Sequence, residues 1–281
     1  MLNSGLSSKT KRTTKKELAL GLGISRGMLY YCHKQDSKDE RDKEAVISVL
    51  TSNPFYGHKR VCLALGWGKN KAKRIMNKYG LKPRSKEKHF RKPDDLQRPD
   101  NEIPNLIKNL CPIRPNVVWV GDFTYFNFHG KFYYLSTAMD LFTREILGWN
   151  FSDHHNAELV IAAFNDAKQK QKITPAYCHS DKGSEYDSYK YKNLVRSHQT
   201  LVSMSKKGSP WENGYQESWY SHYKEELGDI DRFQTLGELV EAIARQIHYY
   251  NHDRIHTSLK TSPVKFRLNL TMQSVFKETG T

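Results

Sequence analysis

The sequence predicts an α/β protein in which a mixed five-stranded sheet with flanking helices follows all-α units. Three observations support this prediction. The first third of the chain has helical patterns and carries the excess positive charge. A proline-rich stretch at residues 83–115 is followed by three segments of strand composition. Further strands then alternate with amphipathic helices, which is the order expected of a sheet covered on both faces.

Composition limits the class of protein. With 281 residues, the chain is long enough for more than one domain. It contains no run of 18 apolar residues and no signal-peptide pattern at its start, so we expect a cytoplasmic protein without a membrane partner. The four cysteines are far apart and form no Cys-x-x-Cys pair, which argues against disulfides and structural zinc.

The positive charge is concentrated at the N-terminal end. Residues 1–98 hold 24 Lys and Arg against 9 Asp and Glu, whereas residues 99–281 hold 21 of each sign. This distribution predicts that the N-terminal part binds a polyanion. Nucleic acid is favoured over an anionic membrane because the basic residues lie within helical patterns and not in one juxtamembrane cluster.

Two helix-turn-helix units are predicted in this basic region. A disordered basic tail at residues 1–12 precedes a small unit at residues 13–40. A second unit, at residues 41–82, ends in a basic helix after a tight turn, which is typical of a recognition helix. Its predicted DNA contacts are Lys59, Arg60, Lys69, Lys71, Lys73 and Arg74. The alternative is a plain helical bundle with solvated lysines.

A linker at residues 83–115 leads to the larger predicted domain, residues 116–270, and a tail follows at 271–281. The predicted strands, rich in β-branched and aromatic residues, are 117–127, 132–139, 145–151, 176–180 and 200–204. The predicted helices are 156–170, 189–196, 213–227 and a closing helix at 236–250. Three antiparallel strands followed by alternating strands and helices are the order of a ribonuclease H-like fold.

Three carboxylates in this domain carry the chemical prediction. Asp122 lies in an apolar strand, where a lone carboxylate is costly unless it is paired or binds a metal. Asp181 ends a short strand, and Glu217 lies on a helix where it shares one face with Asn213 and Lys224. Carboxylates that converge in a basic protein predict divalent-metal chemistry on phosphates, because Mg²⁺ is held by carboxylates and shares its other positions with substrate oxygens and water.

Each acid alone has a plainer explanation. Asp122 could be tied to backbone amides or to Arg144, Asp181 could serve a turn, and Glu217 could be a solvated helix residue. Asp140 also competes for a metal site, and we interpret it as a structural carboxylate paired with Arg144. The three acids together favour the metal site over these explanations.

The spacing of the acids and the sequence around them resemble a known family. Thirty-five residues separate Asp181 from Glu217, a spacing similar to that of polynucleotidyl transferases of the integrase superfamily. The local sequence resembles the second-frame transposases of the third bacterial insertion-sequence family over about residues 15–270. The stretches that carry this resemblance are 56–60, 118–125, 179–186, 203–208, 217–225 and 249–263.

The resemblance implies a DDE transposase with a retroviral-integrase-like catalytic core. It implies that Asp122, Asp181 and Glu217 are the catalytic residues and hold two Mg²⁺ ions, for which Mn²⁺ can substitute. Such an enzyme binds terminal inverted repeats, cleaves 3′ ends and transfers strands to target DNA. Further predicted DNA contacts are Lys206, Lys207, Asn213, Lys224 and Arg254, and the predicted supporting residues are His179 and His256.

The expected partners and the rival functions follow from the same resemblance. Synapsis of two element ends in double-stranded DNA implies at least a homodimer, and the family suggests fusion to an upstream reading-frame product. We expect a bacterial, nucleoid-associated protein. One rival is a domesticated DNA-binding regulator with an inactive integrase fold, which predicts loss of an acid, and none is lost. Another is a ribonuclease H-type nuclease, which leaves the helix-turn-helix units without a role because major-groove readers do not suit A-form hybrids.

Overall fold

The structure is a computed structural model that describes residues 14–30, 34–84, 103–206 and 213–279. The predicted basic tail at residues 1–12 and most of the predicted linker lie outside the described residues. In the described part of the chain, no helix is both long enough and apolar enough to cross a membrane.

Helices precede the sheet, as predicted, but their boundaries differ from the prediction. The helices are α1 (Lys15–Gly21), a 3₁₀ helix at Arg26–Tyr30, α2 (Lys34–Ser52), α3 (His58–Ala64) and α4 (Lys69–Lys78). The α2 helix is continuous across residue 40, where a division between two units was expected. Lysine and glutamate are good helix formers, so this polar stretch extends the helix instead of separating two units.

The helices α2, α3 and α4 enclose a small apolar core of their own. Val46, Val61, Ala72 and Ile75 are fully buried in it. This unit also contacts the C-terminal end of the helix that closes the catalytic domain. There the Tyr249 hydroxyl donates to Asn53 Oδ1 at 2.6 Å, and the Ile255 backbone N–H donates to the Tyr56 hydroxyl at 2.8 Å.

The structure confirms the predicted mixed five-stranded sheet. Its strands are β1 (Val118–Phe128), β2 (Lys131–Asp140), β3 (Ile146–Ser152), β4 (Tyr177–Ser180) and β5 (Leu201–Met204). The order is β3-β2-β1-β4-β5, with β1, β2 and β3 antiparallel and β1, β4 and β5 parallel. The hairpin between β1 and β2 turns at His129 and Gly130, whose φ angles of 48° and 80° match a two-residue turn.

Helices cover both faces of the sheet because side chains alternate along each strand. These helices are α5 (Ala157–Gln171), α6 (Tyr189–Ser197), α7 (Gly214–Leu227), α8 (Leu236–His252) and α9 (Pro263–Thr279). On β1, Trp119 belongs to the apolar cluster beneath α5 and α6, whereas Val118 and Val120 belong to the cluster beneath α7 and α8. A three-strand meander continued by two parallel strands, with helices on both faces, is the ribonuclease H-like fold that the sequence predicts.

Two segments that flank the predicted domain have defined structure in part. The end of the predicted linker runs beside β5, where the Leu106 N–H donates to Ser203 Oγ at 2.9 Å and the Met204 N–H donates to the Pro104 carbonyl at 3.4 Å. An edge strand has free backbone groups, and this segment pairs with them. The predicted tail at residues 271–281 begins within a helix, because α9 continues to Thr279.

Candidate active site

Two of the three predicted catalytic acids are brought side by side by neighbouring parallel strands. In the register of β1 and β4, Val120 lies opposite His179. Asp122 and Asp181 each lie two residues farther along, so both acids project near the same end of the sheet. The structure therefore places together two residues that are far apart in the sequence.

The α7 helix brings the third acid, Glu217, to the same region. Two residues that lie one turn apart on this helix bind the backbone of β1. Gln216 Nε2 donates to the Val120 carbonyl at 2.7 Å, and the Tyr220 hydroxyl donates to the Asp122 carbonyl at 2.9 Å. Gln216 and Tyr220 are buried. Because these bonds bracket Glu217, the first turn of α7 is fixed beside the strand that carries Asp122.

All three carboxyls have raised pKa values, which favours the binding of a cation at this site. Burial first, and then the charges of Asp181 and Glu217, raise the pKa of Asp122 to about 8, against one opposing hydrogen bond from the Phe123 N–H. Burial also raises the pKa of Asp181, with a contribution from Glu185. The pKa of Glu217 is raised by burial and then by Asp181. A bound divalent cation would relieve this repulsion.

The donor set fits a hard divalent cation, since carboxylate oxygens are the ligands that Mg²⁺ prefers. Among the described residues, however, no three His, Cys, Asp or Glu side chains lie close enough together to hold an ion. All three acids can share ions only after some movement. Glu217 is exposed, whereas Asp122 and Asp181 are partly buried, so Glu217 has the most room to move.

A fourth acid, Glu185, borders the site. Its Oε1 atom lies 2.9 Å from His155 Nε2 and accepts a hydrogen bond from Ser184 Oγ at 2.8 Å. Gly183 allows the close approach of the two acids, because a Cβ atom there would lie 2.9 Å from Glu185 Oε2 and 3.2 Å from Asp181 Oδ1. This loop therefore has little room for a larger residue at the glycine.

Asp140 is structural, as interpreted from the sequence, but the predicted partner is wrong. Its Oδ1 atom accepts from the Thr143 N–H at 2.7 Å, and its Oδ2 atom accepts from the Asn116 N–H at 2.6 Å. Arg144 has a left-handed backbone with a φ of 64°, and its guanidinium instead lies over the Tyr215 ring at 3.7 Å. Asp140 thus stabilises a turn and does not compete for a metal.

His179, a predicted supporting residue, is buried between two strands. Its Nδ1 atom lies 2.8 Å from Ser203 Oγ, and its Nε2 atom lies 3.3 Å from Ser205 Oγ. These contacts fix the end of β4 against β5. Because Asp181 directly follows β4, these contacts also fix the position of this acid.

Two of the predicted DNA contacts on α4 are engaged within the protein. Arg74 forms a bidentate ion pair with Asp39, with both distances 2.7 Å, and Lys71 Nζ lies 2.8 Å from Asp42 Oδ1. The acids Asp36, Asp39 and Asp42 form one row along α2 that faces α4. The sequence could not show this pairing, because the partners lie on different helices.

The other predicted contacts in this helical unit differ in exposure. Lys59, Lys69 and Lys73 are exposed on its surface. Arg60 is instead half-buried against the catalytic domain, where burial lowers its pKa and the charge of Arg254 lowers it further. Of the predicted DNA contacts in this helical unit, Lys59, Lys69 and Lys73 therefore remain open to a ligand in solvent.

The predicted DNA contacts in the catalytic domain also separate into two groups. Lys206 is exposed at the end of β5, and Lys207 lies outside the described residues. Lys224 is partly buried, and its Nζ atom donates to the Tyr125 carbonyl at 2.9 Å. Burial also lowers the pKa of Lys224.

Asn213 and Arg254 were predicted to contact DNA, and the structure buries both of them. Asn213 Nδ2 donates to the Gly121 carbonyl at 3.4 Å, which ties the start of α7 to β1. Arg254 Nε donates to both carboxylate oxygens of Glu226, at 2.7 and 2.9 Å. Both side chains serve contacts within the protein because α7 and the segment after α8 pack against their neighbours.

Comparison with known proteins agrees with this geometry. Two family models, both described as an integrase core domain, match residues 112–210 and 198–263. The fold, the acids and this match define a polynucleotidyl transferase with an integrase core. The chain belongs to the insertion-sequence transposases of the DDE type, in the third bacterial insertion-sequence family, which confirms the predicted family and enzyme class.

The relatives cover most of the chain. The transposase for insertion sequence element IS904 of Lactococcus lactis subsp. lactis (strain IL1403) is 33% identical over 244 residues, which are 81% of this chain and 94% of the relative. The putative transposase InsK for insertion sequence element IS150 of Escherichia coli (strain K12) is 31% identical, over 89% of this chain and 92% of the relative. The HTLV-2 integrase catalytic core domain in complex with magnesium (trimeric form) is 18% identical, with a TM-score of 0.47, over 55% of this chain and 98% of that structure.

Proposed function

We propose that this transposase binds the terminal inverted repeats of its element and catalyses Mg²⁺-dependent 3′-end cleavage and strand transfer at Asp122, Asp181 and Glu217. The observation that supports this most directly is the register of β1 and β4, which sets the two aspartates side by side. The α7 helix adds Glu217, and all three carboxyls have raised pKa values because of burial and of one another's charge.

The proposed chemistry depends on bound metal ions and on the protonation of the carboxyls at this site. When bound, a pair of Mg²⁺ ions would activate the attacking water or 3′-OH and stabilise the leaving 3′ oxygen. The raised pKa of Asp122, about 8, favours its protonated form in the metal-free protein at neutral pH, and a bound ion would favour its charged form. The Phe123 N–H orients one oxygen of this carboxyl at 2.8 Å. Mn²⁺ has similar ligand preferences and substitutes for Mg²⁺.

DNA binding is proposed to rest on exposed cations. Lys59, Lys69 and Lys73 point away from the helical unit, and Lys206 lies at the end of β5. Residues 1–98 hold the net positive charge of the chain, which favours contact with DNA phosphates. The ion pairs of Lys71 and Arg74 leave these two residues a stabilising role.

Assembly is proposed to involve more than one copy. Joining two element ends needs a homodimer or a larger assembly on double-stranded DNA, and we propose that the protein works on the bacterial nucleoid. Fusion to an upstream reading-frame product stays part of this proposal.

The test is the variant Glu217→Gln, which keeps the size of the side chain and removes its charge. With purified protein, terminal-repeat duplexes and Mg²⁺, we expect cleavage and joining to fall by about 10³-fold or more. Repeat binding should stay within about twofold, because Glu217 is not a cation. The matched control is Glu241→Gln on the exposed face of α8, where the side chain is 69% exposed. Strand joining in Glu217→Gln at the level of the Glu241→Gln control would contradict the proposal.

A further inference from the structure

A cavity of about 300 Å³ lies against the face of α7 opposite Glu217. On this helix, Ser218, His222 and Glu226 line it at a spacing of four residues. Its other walls come from α3, from the turn before β3 and from the segment after α8. The cavity therefore lies where the basic helical unit meets the catalytic domain.

The cavity has an excess of positive charge. Among the described residues, three arginines line it, Arg60, Arg144 and Arg254, against a single carboxylate, Glu226. Arg254 neutralises Glu226 through bonds of 2.7 and 2.9 Å from its Nε atom. In this described part of the chain, the charges of Arg60 and Arg144 have no further carboxylate within the cavity. Holding two partly buried cations beside a third is unfavourable unless an anion joins them.

Buried donors without a partner collect at this place. Within the described ranges, the buried side-chain atoms that make no hydrogen bond include Arg60 Nε, Arg144 Nη1, Trp219 Nε1 and His256 Nδ1, and all four residues line the cavity. Buried polar groups in folded proteins almost always have partners, so a group of donors in one cavity calls for a partner there, either water or a ligand with acceptor oxygens. Arginine N–H groups are suited to a tetrahedral oxyanion.

The histidines of the cavity do not add charge. The pKa of His256 is lowered to about 4 by burial first and then by the charges of Arg144, Arg254 and Arg60. Burial and the same kind of repulsion lower the pKa of His222. His256 is therefore neutral at physiological pH, and one of its ring nitrogens can donate a hydrogen bond.

We propose that this cavity binds one phosphate group of the DNA backbone, held by Arg60, Arg144 and His256. The proposal rests on the proposed function, in which the helical unit binds the element ends. Arg60 belongs to α3 of that unit, directly after the exposed Lys59. Two exposed hydroxyl residues, Thr257 and Ser258, lie at the rim, and hydroxyls are common phosphate ligands. The volume accommodates a phosphate with several waters, at about 30 Å³ per water.

A bound phosphate here would join the two parts of the protein. It would neutralise cations contributed by α3 on one side and by the turn before β3 on the other. A phosphate from DNA would thus favour the docked arrangement in which Tyr249 binds Asn53. Inorganic phosphate offers the same tetrahedral group, and the experiment separates the two sources.

The first arm measures the salt dependence of DNA binding. Arg60→Gln, Arg144→Gln and the double variant are made in the Glu217→Gln background and assayed in EDTA by fluorescence anisotropy with a terminal-repeat duplex. The slope of log affinity against log salt should fall by about 0.9 in each single variant, the loss for one phosphate. The double variant should lose no more than this, because both arginines hold the same phosphate. Arg245→Gln is the control, since that arginine is 74% exposed on α8.

The second arm uses inorganic phosphate alone. At constant ionic strength, replacing chloride by phosphate should raise the melting temperature of the parent protein and of Arg245→Gln, but not of Arg60→Gln. Arg60→Lys keeps the charge and should retain part of this rise in melting temperature. Without phosphate, Arg60→Gln should melt no lower than the parent, because it removes repulsion from Arg254, and this confirms that the variant folds.

The outcomes are distinct. Unchanged salt slopes in all three variants would overturn the proposal, and so would additive losses in the double variant, which would mean separate phosphates. If Arg60→Gln lost the stabilisation by inorganic phosphate but kept the salt slope of the parent protein for DNA, the assignment of the cavity to a DNA phosphate would be overturned. Because binding is measured without metal, failed catalysis does not affect this test. A parent protein that does not bind the repeats at all contradicts the proposed function instead.

Discussion

Replacing Asp122 by asparagine should stabilise the metal-free protein while it abolishes catalysis. Asn has the same shape, and its Oδ1 atom can still accept the hydrogen bond that the Phe123 N–H donates at 2.8 Å. What disappears is a carboxyl whose charged form is disfavoured by burial and by the charges of Asp181 and Glu217, so that its pKa is about 8. An amide has no charged form and is free of this penalty.

The magnitude follows from the pKa shift and depends on pH. The pKa of Asp122 rises from 3.8 to about 8 on folding, and each unit corresponds to about 1.4 kcal/mol. A raised pKa means that the folded state holds the proton more tightly, so the wild type loses stability as the pH rises from about 4 to about 8. The gain in Asp122→Asn should therefore be near zero at about pH 4. It should reach up to about 4 kcal/mol at pH 7 and level off above about pH 8.

Urea denaturation in EDTA at about pH 5, 7 and 8.5 measures this gain. The control is Asp231→Asn, the same substitution at an exposed site. Added Mg²⁺ should then stabilise the wild type at neutral pH but not Asp122→Asn, because only the wild type provides the ligand. A pH-independent difference between wild type and Asp122→Asn, or a loss of stability in the variant, would refute the reasoning.

Two further predictions concern the helical unit and the sheet. Lys73→Gln should weaken repeat binding and lower the salt slope by about 0.9 without changing the urea midpoint, whereas Arg74→Gln should lower the midpoint because it breaks the bidentate pair with Asp39. Anisotropy and urea titrations on both variants separate these effects, and the reverse pattern would contradict the assigned faces of α4. Gly148→Ala should destabilise the core by about 3 kcal/mol or more, because its Cβ would overlap backbone atoms of α5. Gly21→Ala, which has open space, is the control, and equal stabilities in urea would contradict the packing argument.

The sheet could be predicted from the sequence because its signals are local. β-Branched and aromatic residues mark β1 and β2, and the His129–Gly130 turn marks their hairpin. The acids could be selected because a carboxylate amid apolar residues, such as Asp122, needs a special explanation. Gln216 and Tyr220 could not be selected from the sequence, since only the packing of α7 on the sheet shows that their side chains reach the β1 backbone.

The surface of the helical unit could not be predicted in the same way. A lysine-rich helix indicates a polyanion partner, but it does not say which lysines face outward. Arg74 and Lys71 turn toward acids that are more than a helix away in the sequence, and these pairs form only when α2 and α4 pack. Arg60, a predicted DNA contact, lies at a junction that the sequence could not show, because the helical unit docks on the end of α8.

The α7 helix sets the distance between the two places where DNA phosphates would bind. Glu217 lies on one face, and Ser218, His222 and Glu226 line the cavity on the other. Gln216 fixes the roll of the helix against β1. An α-helix with its side chains is about 10 Å wide. A phosphate in the cavity and a phosphate at the three acids would therefore lie on opposite sides of α7, separated by at least about that width.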